Sequence, residues 1–176
     1  MISLEQLKVI VPFASANAGI FLGPLNDAMS EFGISTPTRQ AAFLAQIAHE
    51  SGSFRYLREI ASGTAYEGRI DLGNTEAGDG VRFKGRGLIQ ITGRANYRAC
   101  SSALYGDETT LQAHPEFLED VVPACRSAAW FWQSRGLNAL ADQGSTRAIT
   151  RVINGGLNGY DERLAYFERA QRVLSC

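Results

Sequence analysis

The segment TPTRQAAFLAQIAHESG, residues 36–52, carries the pattern of one complete amphipathic helix. Thr36 is a residue type that caps helix N-termini, and Pro37 suits the first helical position, where its missing N–H has no helical partner to lose. The apolar residues that follow recur at helical spacing, and the final Ser-Gly pair favours a stop. The sequence therefore predicts a helix over about residues 37–51, with Glu50 in its last turn.

Helical patterns continue on both sides of this segment. Ser3 and Gln6 match a capping box, which predicts a first short helix that Pro12 ends or bends. Further helices are predicted over residues 21–32, 96–105, 115–122, from 123 onward, 145–153 and 160–174. No internal repeat or low-complexity linker separates them, so the chain is expected to fold mainly as α-helix.

A glycine-rich stretch, residues 63–87, interrupts the helical pattern. Its many glycines and its lack of apolar repeats predict short strands and turns in place of helix. The adjoining GRGLIQITG, residues 85–93, alternates briefly, which is typical of a short strand or of an apolar loop beneath a cleft. We therefore expect a single mainly α domain, residues 1–176, in which N-terminal helices (1–35) precede a core (about 36–176) that holds this insertion.

Composition and charge argue against several classes of partner. The 176 residues are 45% hydrophobic and 20% charged, which is ordinary for a globular domain that builds its own core. A formal net charge of −1 gives no bulk attraction to nucleic acid, so no nucleic-acid partner is expected. The apolar stretch 9–25 is broken by prolines and polar residues, and the N-terminus lacks a signal-peptide pattern. We therefore expect synthesis in a cytoplasm and no stable membrane insertion.

Cysteines and histidines are too few for a disulfide scaffold or a metal site. Three cysteines cannot all pair with one another, so buried free thiols are expected, although a Cys100–Cys125 bridge stays open. A zincin motif would need a second histidine four positions after His49, where Ser53 stands. We expect no metal ion and no cofactor.

Glu50 has the sequence setting of a proton-donating acid. Hydrolysis of a glycosidic bond needs one carboxyl group held protonated and a second held ionised. Glu50 follows Ile47 by three positions and Phe43 by seven, so it shares a helical face with apolar residues, and Phe54 adds to that setting. Burial there would disfavour the charged form. The alternative is a glutamate at a helix end that faces water.

Several carboxylates and polar side chains could complete such a site. Glu59 stands nine positions after Glu50, and Glu67 and Glu76 lie further along; spacing alone does not choose the second carboxylate among them. Thr92 and Gln90 are types that position a water or bind sugar amides and hydroxyls. Trp130 and Trp132 could stack on sugars but are more often core residues, and Asn154 either lies in a cleft or merely ends a helix.

Five motifs in register resemble one known family. The motifs are His49-Glu50-Ser51-Gly52, the later Glu59, GRGLIQIT at 85–92, Asn96-Tyr97 and INGGL at 153–157. Together they are similar to glycoside hydrolase family 19, the chitinases and the phage endolysins related to them. The resemblance covers about residues 36–170 and implies a lysozyme-like, two-lobed, mainly α fold with a small β or irregular element beside the cleft.

The resemblance also implies roles for individual residues. Glu50 matches the general acid and Glu59 the general base of an inverting mechanism, Thr92 the residue that holds the attacking water, and Gln90 a substrate contact. Further substrate-binding or cleft positions are matched by His49, Tyr66, Asn96, Tyr97 and Asn154. Arg163, also counted among the substrate-binding residues, resembles the late arginine that is linked to the catalytic network of the family.

Two positions depart from the family pattern. Leu88 stands where proline is frequent, a change that we expect to be tolerated. Asn158 replaces an acidic residue found in many chitinases, which puts chitin-like contacts there in doubt.

Peptidoglycan is the substrate expected from these features. The chain resembles an endolysin of phages that infect Gram-negative hosts, a monomer made in the host bacterial cytoplasm that reaches the cell wall in the periplasm through a separate holin. Muramidase-type cleavage is expected, with chitinase activity as the alternative. Two other classes stay open: a non-catalytic glycan-binding module, and a cysteine amidase or peptidase that pairs Cys100 or Cys125 with His114.

Overall fold

The structure, a computed structural model, describes residues 1–175, except for the side chain of Ser15. These residues form ten α-helices joined by turns and loops, which confirms the expected mainly α class. The helices are α1 Leu4–Ile10, α2 Ser15–Glu31, α3 Pro37–Glu50, α4 Asp79–Arg82, α5 Arg94–Tyr105, α6 Thr110–Ala113, α7 Val121–Ser134, α8 Leu137–Asp142, α9 Thr146–Asn154 and α10 Tyr160–Leu174. Four 3-10 turns are interspersed at Pro12–Ala14, Thr64–Tyr66, Ile70–Leu72 and Pro115–Glu119.

The predicted helix caps of α1 and α3 are present. Ser3 Oγ accepts a hydrogen bond from the Gln6 backbone N–H at 3.1 Å, and Gln6 Oε1 accepts one from Ser3 N at 2.9 Å, which completes the capping box. Thr36 Oγ1 accepts from Arg39 N at 3.2 Å, with Pro37 at the first helical position. These local contacts satisfy N–H groups that the helix itself leaves unpaired.

Two predicted helix boundaries are wrong. Helix α2 begins at Ser15, not at residue 21, because buried Ala14 and Ala18 extend its apolar stripe and that burial outweighs the interior Pro24. The helix predicted over 115–122 is only a 3-10 turn. Helix α7 starts at Val121 because Pro123 lies within its first turn, where its missing N–H has no helical partner to lose. The short helices α6 and α8 were not predicted.

Of the two alternatives for residues 85–93, a short strand or an apolar loop, the structure has a loop with a small bridged element, and no regular strand occurs in residues 1–175. Arg86 and Ile91 exchange backbone hydrogen bonds of 3.1 and 2.8 Å around a tight turn, in which Gln90 takes a φ of +58°. On its other side the same segment bonds to the chain near Glu59: Glu59 N donates to Gly85 O at 2.9 Å. This irregular β element matches the one expected beside the cleft.

The glycine-rich insertion folds through close backbone contacts. A Cβ atom added at Gly63, whose φ is +88°, would lie 2.5 Å from the carbonyl oxygen of Gly80. Only glycine permits that approach together with that φ. The insertion also contains α4, so the expectation that it holds no helix is wrong over Asp79–Arg82.

One hydrophobic cluster connects the N-terminal helices with the C-terminal ones. Helix α3 packs along α10, and α2 packs against α7. Trp132 is fully buried, meets Phe43 edge to face at 5.5 Å between ring centroids, and donates its indole N–H to Asn138. The core role expected for Trp132 is therefore confirmed, and Trp130 packs half-buried against the same cluster. Among the described residues, no helix has both the length and the apolar character needed to cross a membrane.

A buried ion pair closes the insertion onto α5. Arg94 donates to both carboxylate oxygens of Asp79, at 2.8 and 2.5 Å, and Asp79 is 1% exposed. The Arg94 backbone N–H donates to Asn74 Oδ1 at 2.8 Å, and Asn74 Nδ2 donates to Tyr66 O at 2.8 Å. The hydrogen bond from Arg94 holds the pKa of Asp79 below its ordinary value.

We predict that Asp79→Asn destabilises the protein at neutral pH by about 2 kcal/mol, because the partly buried guanidinium of Arg94 then keeps only its ion pair with the exposed Glu76. The folded-state pKa of Asp79 is lowered, so its contribution is present above the ordinary pKa of 3.8 and is lost as pH falls through the lower value. Urea unfolding should show a constant gap between wild type and variant from pH 6 to 8 that narrows below about pH 4. A gap that widens in acid would contradict this assignment.

Candidate active site

Glu50 ends α3 and contacts a buried guanidinium. Arg163 Nη2, from α10, donates to Glu50 Oε1 at 2.5 Å, and Arg163 Nη1 donates to Gln46 Oε1 at 2.6 Å. The Arg163 side chain is 1% exposed and that of Glu50 is 18% exposed. The apolar face of α3 is therefore only part of the setting of Glu50, since a charged partner from a distant helix also faces its carboxyl group.

A left-handed turn directly after α3 reverses the chain. Gly52, Ser53 and Phe54 have φ values of +56°, +63° and +64°, a conformation that non-glycine residues rarely adopt. Ser53 Oγ lies 3.0 Å from Tyr166 OH, and Asn17 Nδ2 donates to Phe54 O at 2.9 Å. Contacts from α2 and α10 thus hold a strained turn directly after Glu50, and strain of this kind persists only where the surrounding structure holds it in place.

Glu59 is held by two neutral donors on the insertion side. Tyr66 OH donates to Glu59 Oε1 at 3.0 Å, and the Gly85 backbone N–H donates to Oε2 at 3.0 Å. Burial, together with this hydrogen bond to the carboxylate, raises the pKa of Tyr66. Because each carboxyl oxygen of Glu59 accepts one hydrogen bond, the side chain is held in one orientation.

The other two candidate carboxylates serve the insertion itself. Glu67 accepts hydrogen bonds from the backbone N–H groups of Gly78 and Gly80, at 2.6 and 2.8 Å. Glu76 accepts from Arg94 at 2.7 Å. Glu67 and Glu76 are thus engaged in contacts that hold the insertion, and the role of Glu59 as the second carboxylate stays a prediction.

The water-binding and substrate-binding candidates form a connected edge. Thr92 Oγ1 donates to Gln90 O at 2.9 Å, and Asn96 Nδ2 donates to Thr92 O at 2.7 Å. A Cβ atom at Gly85 would meet Gln90 Oε1 at 2.7 Å and Glu59 Oε2 at 3.2 Å, so the Gln90 side chain lies next to the Glu59 carboxylate. The tight turn of residues 86–91 thus brings Gln90 and Glu59 together, with Thr92 bonded to the same edge.

An open cleft of about 390 Å³ runs along this edge. It is lined by Tyr66, Arg69, Leu72, Ile89, Gln90, Ile91, Thr92, Asn96, Phe131, Ile153 and Asn154. Five of these residues are also candidates from the sequence: Tyr66, Gln90, Thr92, Asn96 and Asn154. Asn154 is the last residue of α9 and also lines the cleft, so it does more than end a helix. Sequence reasoning missed Arg69 and Phe131, because an exposed arginine and an aromatic in a helix carry no pattern that separates them from ordinary surface and core.

Two predicted substrate contacts lie elsewhere. Tyr97 is fully buried: it donates to Lys84 O at 2.7 Å and accepts from Arg86 at 3.0 Å, and burial raises its pKa. His49 Nδ1 lies 2.6 Å from Glu162, and the His49 ring packs on the backbone of Gly159. Both side chains are occupied by contacts within the protein, so the structure does not place them among the residues that line the cleft.

The cysteine alternative lacks the required geometry. Cys100 and Cys125 are buried free thiols, and burial raises the pKa of Cys100 to about 12. His114 stacks on Phe117 and pairs with Glu116 at the surface. A buried thiol that keeps its proton is a poor nucleophile. Within residues 1–175, no group of three or more His, Cys, Asp or Glu is arranged to hold a metal ion.

Known proteins share this fold and sequence. No family model matches the chain. A glycosyl hydrolase family 19 domain-containing protein of Haemophilus influenzae is 32% identical over 195 residues, covering 93% of this chain and 92% of that protein. An endochitinase of Arabidopsis thaliana is 38% identical over 66% of this chain, which spans 38% of that relative's length. The crystal structure of chitinase C from Streptomyces griseus matches with a TM-score of 0.79 and 26% identity, over 99% of this chain and 76% of that one.

Fold, site and relatives together define the class of this protein. It is a glycoside hydrolase with a lysozyme-like, mainly helical fold, and it acts on glycans. The chain belongs to glycoside hydrolase family 19.

We predict that Glu59→Gln lowers kcat on the order of 10²–10⁴-fold, because the variant loses the group that would accept a proton. Glu76→Gln is the matched control: its side chain is 69% exposed and bonds to Arg94, so activity should stay within about twofold. Steady-state rates on a soluble glycan, with melting temperatures to verify folding, measure both. Equal losses in the two variants would contradict the choice of Glu59.

Alkylation of the native enzyme should leave its activity unchanged. Cys100 and Cys125 are buried, so iodoacetamide should modify them only after denaturation. Peptide mass analysis of native and unfolded samples, compared with the activity of the treated enzyme, provides the measurement. Inactivation in step with modification of Cys100 or Cys125 would restore the cysteine mechanism.

Proposed function

We propose that this glycoside hydrolase is an endolysin-like enzyme that cleaves β-1,4 bonds in the glycan strand of bacterial peptidoglycan with muramidase-type specificity. The contrast between its two carboxyl groups carries the proposal. Glu50 sits at the end of a rigid helix against Arg163, whereas Glu59 accepts two neutral hydrogen bonds on the insertion. Two carboxyl groups held in different surroundings suit the separate roles of acid and base.

The proposed reaction inverts the anomeric carbon. Glu50 gives its proton to the glycosidic oxygen as the C–O bond breaks, and a water attacks the anomeric carbon from the opposite face. Glu59 accepts one proton of that water. Because the Thr92 hydroxyl already donates to Gln90 O, its oxygen is oriented to accept the other water hydrogen. The β-linked substrate then yields an α-anomer as first product.

Arg69 in the cleft supports an anionic substrate. Its guanidinium pairs with Asp71 at 2.7 and 2.5 Å, but both side chains are about half exposed. An exposed ion pair contributes little stability, so the guanidinium can exchange Asp71 for another carboxylate. Peptidoglycan supplies free carboxylates on its peptide substituents, whereas chitin has none.

Chitin is the second candidate substrate. Chitinase C and the endochitinases are similar to this chain, and chitin shares the β-1,4-linked N-acetylated sugars of peptidoglycan. The five cleft residues singled out from sequence would suit either polymer, because amide and hydroxyl groups of the sugars are common to both.

The proposal includes a setting for the reaction. The enzyme would be a monomer made in the cytoplasm of a host bacterium, and it would reach peptidoglycan in the periplasm after release through a separate holin. Its one macromolecular partner would be the cell wall, and it would need no cofactor.

Digestion of purified Gram-negative peptidoglycan tests the proposal. We expect new reducing muramic acid ends by mass analysis, an α-anomer as the first product by NMR, and slower turnover of chitin oligosaccharides. Glu50→Gln should abolish cleavage while its melting temperature stays near that of wild type. Reducing glucosamine ends or faster cleavage of chitin would overturn the muramidase assignment, and wild-type turnover by Glu50→Gln would rule out Glu50 as the acid.

A further inference from the structure

A buried chain of hydrogen bonds runs behind Glu50. Arg163 Nη1 donates to Gln46 Oε1 at 2.6 Å, Gln46 Nε2 donates to Thr150 Oγ1 at 3.3 Å, and Thr150 Oγ1 donates to Thr146 O at 3.0 Å. Gln46 is 3% exposed and Thr150 is fully buried. The chain joins α3, α9 and α10, and none of the roles assigned above uses Gln46.

The donors along this chain fix the orientation of the Gln46 amide. The Thr150 hydroxyl donates its only proton to the Thr146 carbonyl, so toward Gln46 it can only accept. The amide nitrogen of Gln46 must therefore face Thr150, and its oxygen must face Arg163. A flipped amide would place two N–H donors against a guanidinium, which has no acceptor.

The fixed amide divides the two terminal nitrogens of Arg163 between two partners, while Nε donates to Asn158 O at 3.4 Å. Gln46 and Glu50 are one helical turn apart on α3 and so lie on the same face. One terminal nitrogen of Arg163 is engaged by Gln46, and the other contacts Oε1 of Glu50. Arg163 makes no hydrogen bond to Oε2, the other carboxyl oxygen of Glu50. A guanidinium released from Gln46 could grip both oxygens, and a two-point contact favours the ionised carboxylate.

We propose that Gln46 is a positioning residue of the reaction: anchored by Thr150, it holds one arm of Arg163 and so keeps Glu50 able to be protonated. The inference rests on the proposed role of Glu50 as proton donor. Gln46 does not line the cleft, so it acts through Arg163 and not through substrate. His49, the sequence neighbour of Glu50 at the end of α3, pairs with Glu162 of α10.

Two substitutions at this position should have opposite effects on pH dependence. Gln46→Met keeps the volume but removes the acceptor, so kcat at neutral pH should fall on the order of tenfold, with KM within about twofold. The basic limb of the kcat–pH profile should move to lower pH, because Glu50 loses its proton more readily. Gln46→Glu restores an acceptor and adds negative charge, so activity should recover in part and the basic limb should move to higher pH.

Controls separate this role from simple stability. Gln40→Met makes the same change in the same helix, away from Arg163, and should alter neither kcat nor the pH profile. Thr150→Val leaves Gln46 in place but releases its amide, so it should shift the basic limb in the same direction as Gln46→Met, by less. It keeps the inference testable if Gln46→Met fails to fold.

The outcomes distinguish the two proposals. The role of Gln46 would be overturned if folded Gln46→Met and Thr150→Val both kept the basic limb of the wild-type kcat–pH profile. If Glu50→Gln were inactive in the same experiments, the proposed mechanism would stay intact. Limbs that move in the same direction for Met and Glu at position 46 would also overturn the role of Gln46. Retained turnover in Glu50→Gln would instead remove the proposed mechanism itself.

Discussion

The position of Glu50 depends on the buried guanidinium of Arg163. The Arg163 side chain is 1% exposed, and removing such an ion from water costs several kcal/mol unless partners satisfy it. Those partners, Glu50 and Gln46, lie one turn apart on α3, so α3 and α10 can pack in only one register. The apolar contact between the two helices gives the pairing its strength. The hydrogen bonds of the charged Arg163 side chain set the register of α10 against α3, and this register sets the position of the Glu50 carboxyl group.

Glu59 and the glycine-rich insertion are held in place by different interactions. The insertion has few buried apolar side chains, and it is held by close backbone approaches and polar contacts: Gly63 against Gly80, Glu59 with Gly85, and Asp79 with Arg94. Such contacts are short-ranged and specific, so they fix a loop without a core of its own. One carboxyl group is thus positioned by a helix in the main core, and the other by a hydrogen-bonded loop whose own ion pair is sensitive to acid.

Sequence reasoning succeeded where the deciding interactions are local. The capping box at Ser3, the Thr36-Pro37 start of α3 and the span of α10 depend on residues within one or two turns, and the structure has them as predicted. It failed where distant contacts decide. Helix α2 begins before residue 21 and contains Pro24 because Ala18 is buried in the core. Tyr97 is buried because its hydroxyl group bonds to Arg86 and to the Lys84 carbonyl. Glu50 could be suspected from helical spacing, but no spacing reveals that a residue 113 positions later supplies its partner.

Membership of family 19 defines the reaction, hydrolysis of a glycosidic bond, more closely than it defines which glycan is cleaved. The reason is that different residues govern the two properties. The residues proposed to make and break bonds, Glu50, Glu59 and Thr92, are tied to backbone and core by short hydrogen bonds, so their positions depend on the fold itself. Chitin and peptidoglycan differ only in substituents that project from the strand. Those substituents would meet the outer walls of the cleft, where Arg69 and Phe131 stand on separate elements. Such positions can change without disturbing the carboxyl groups, so substrate preference can drift while the reaction stays the same.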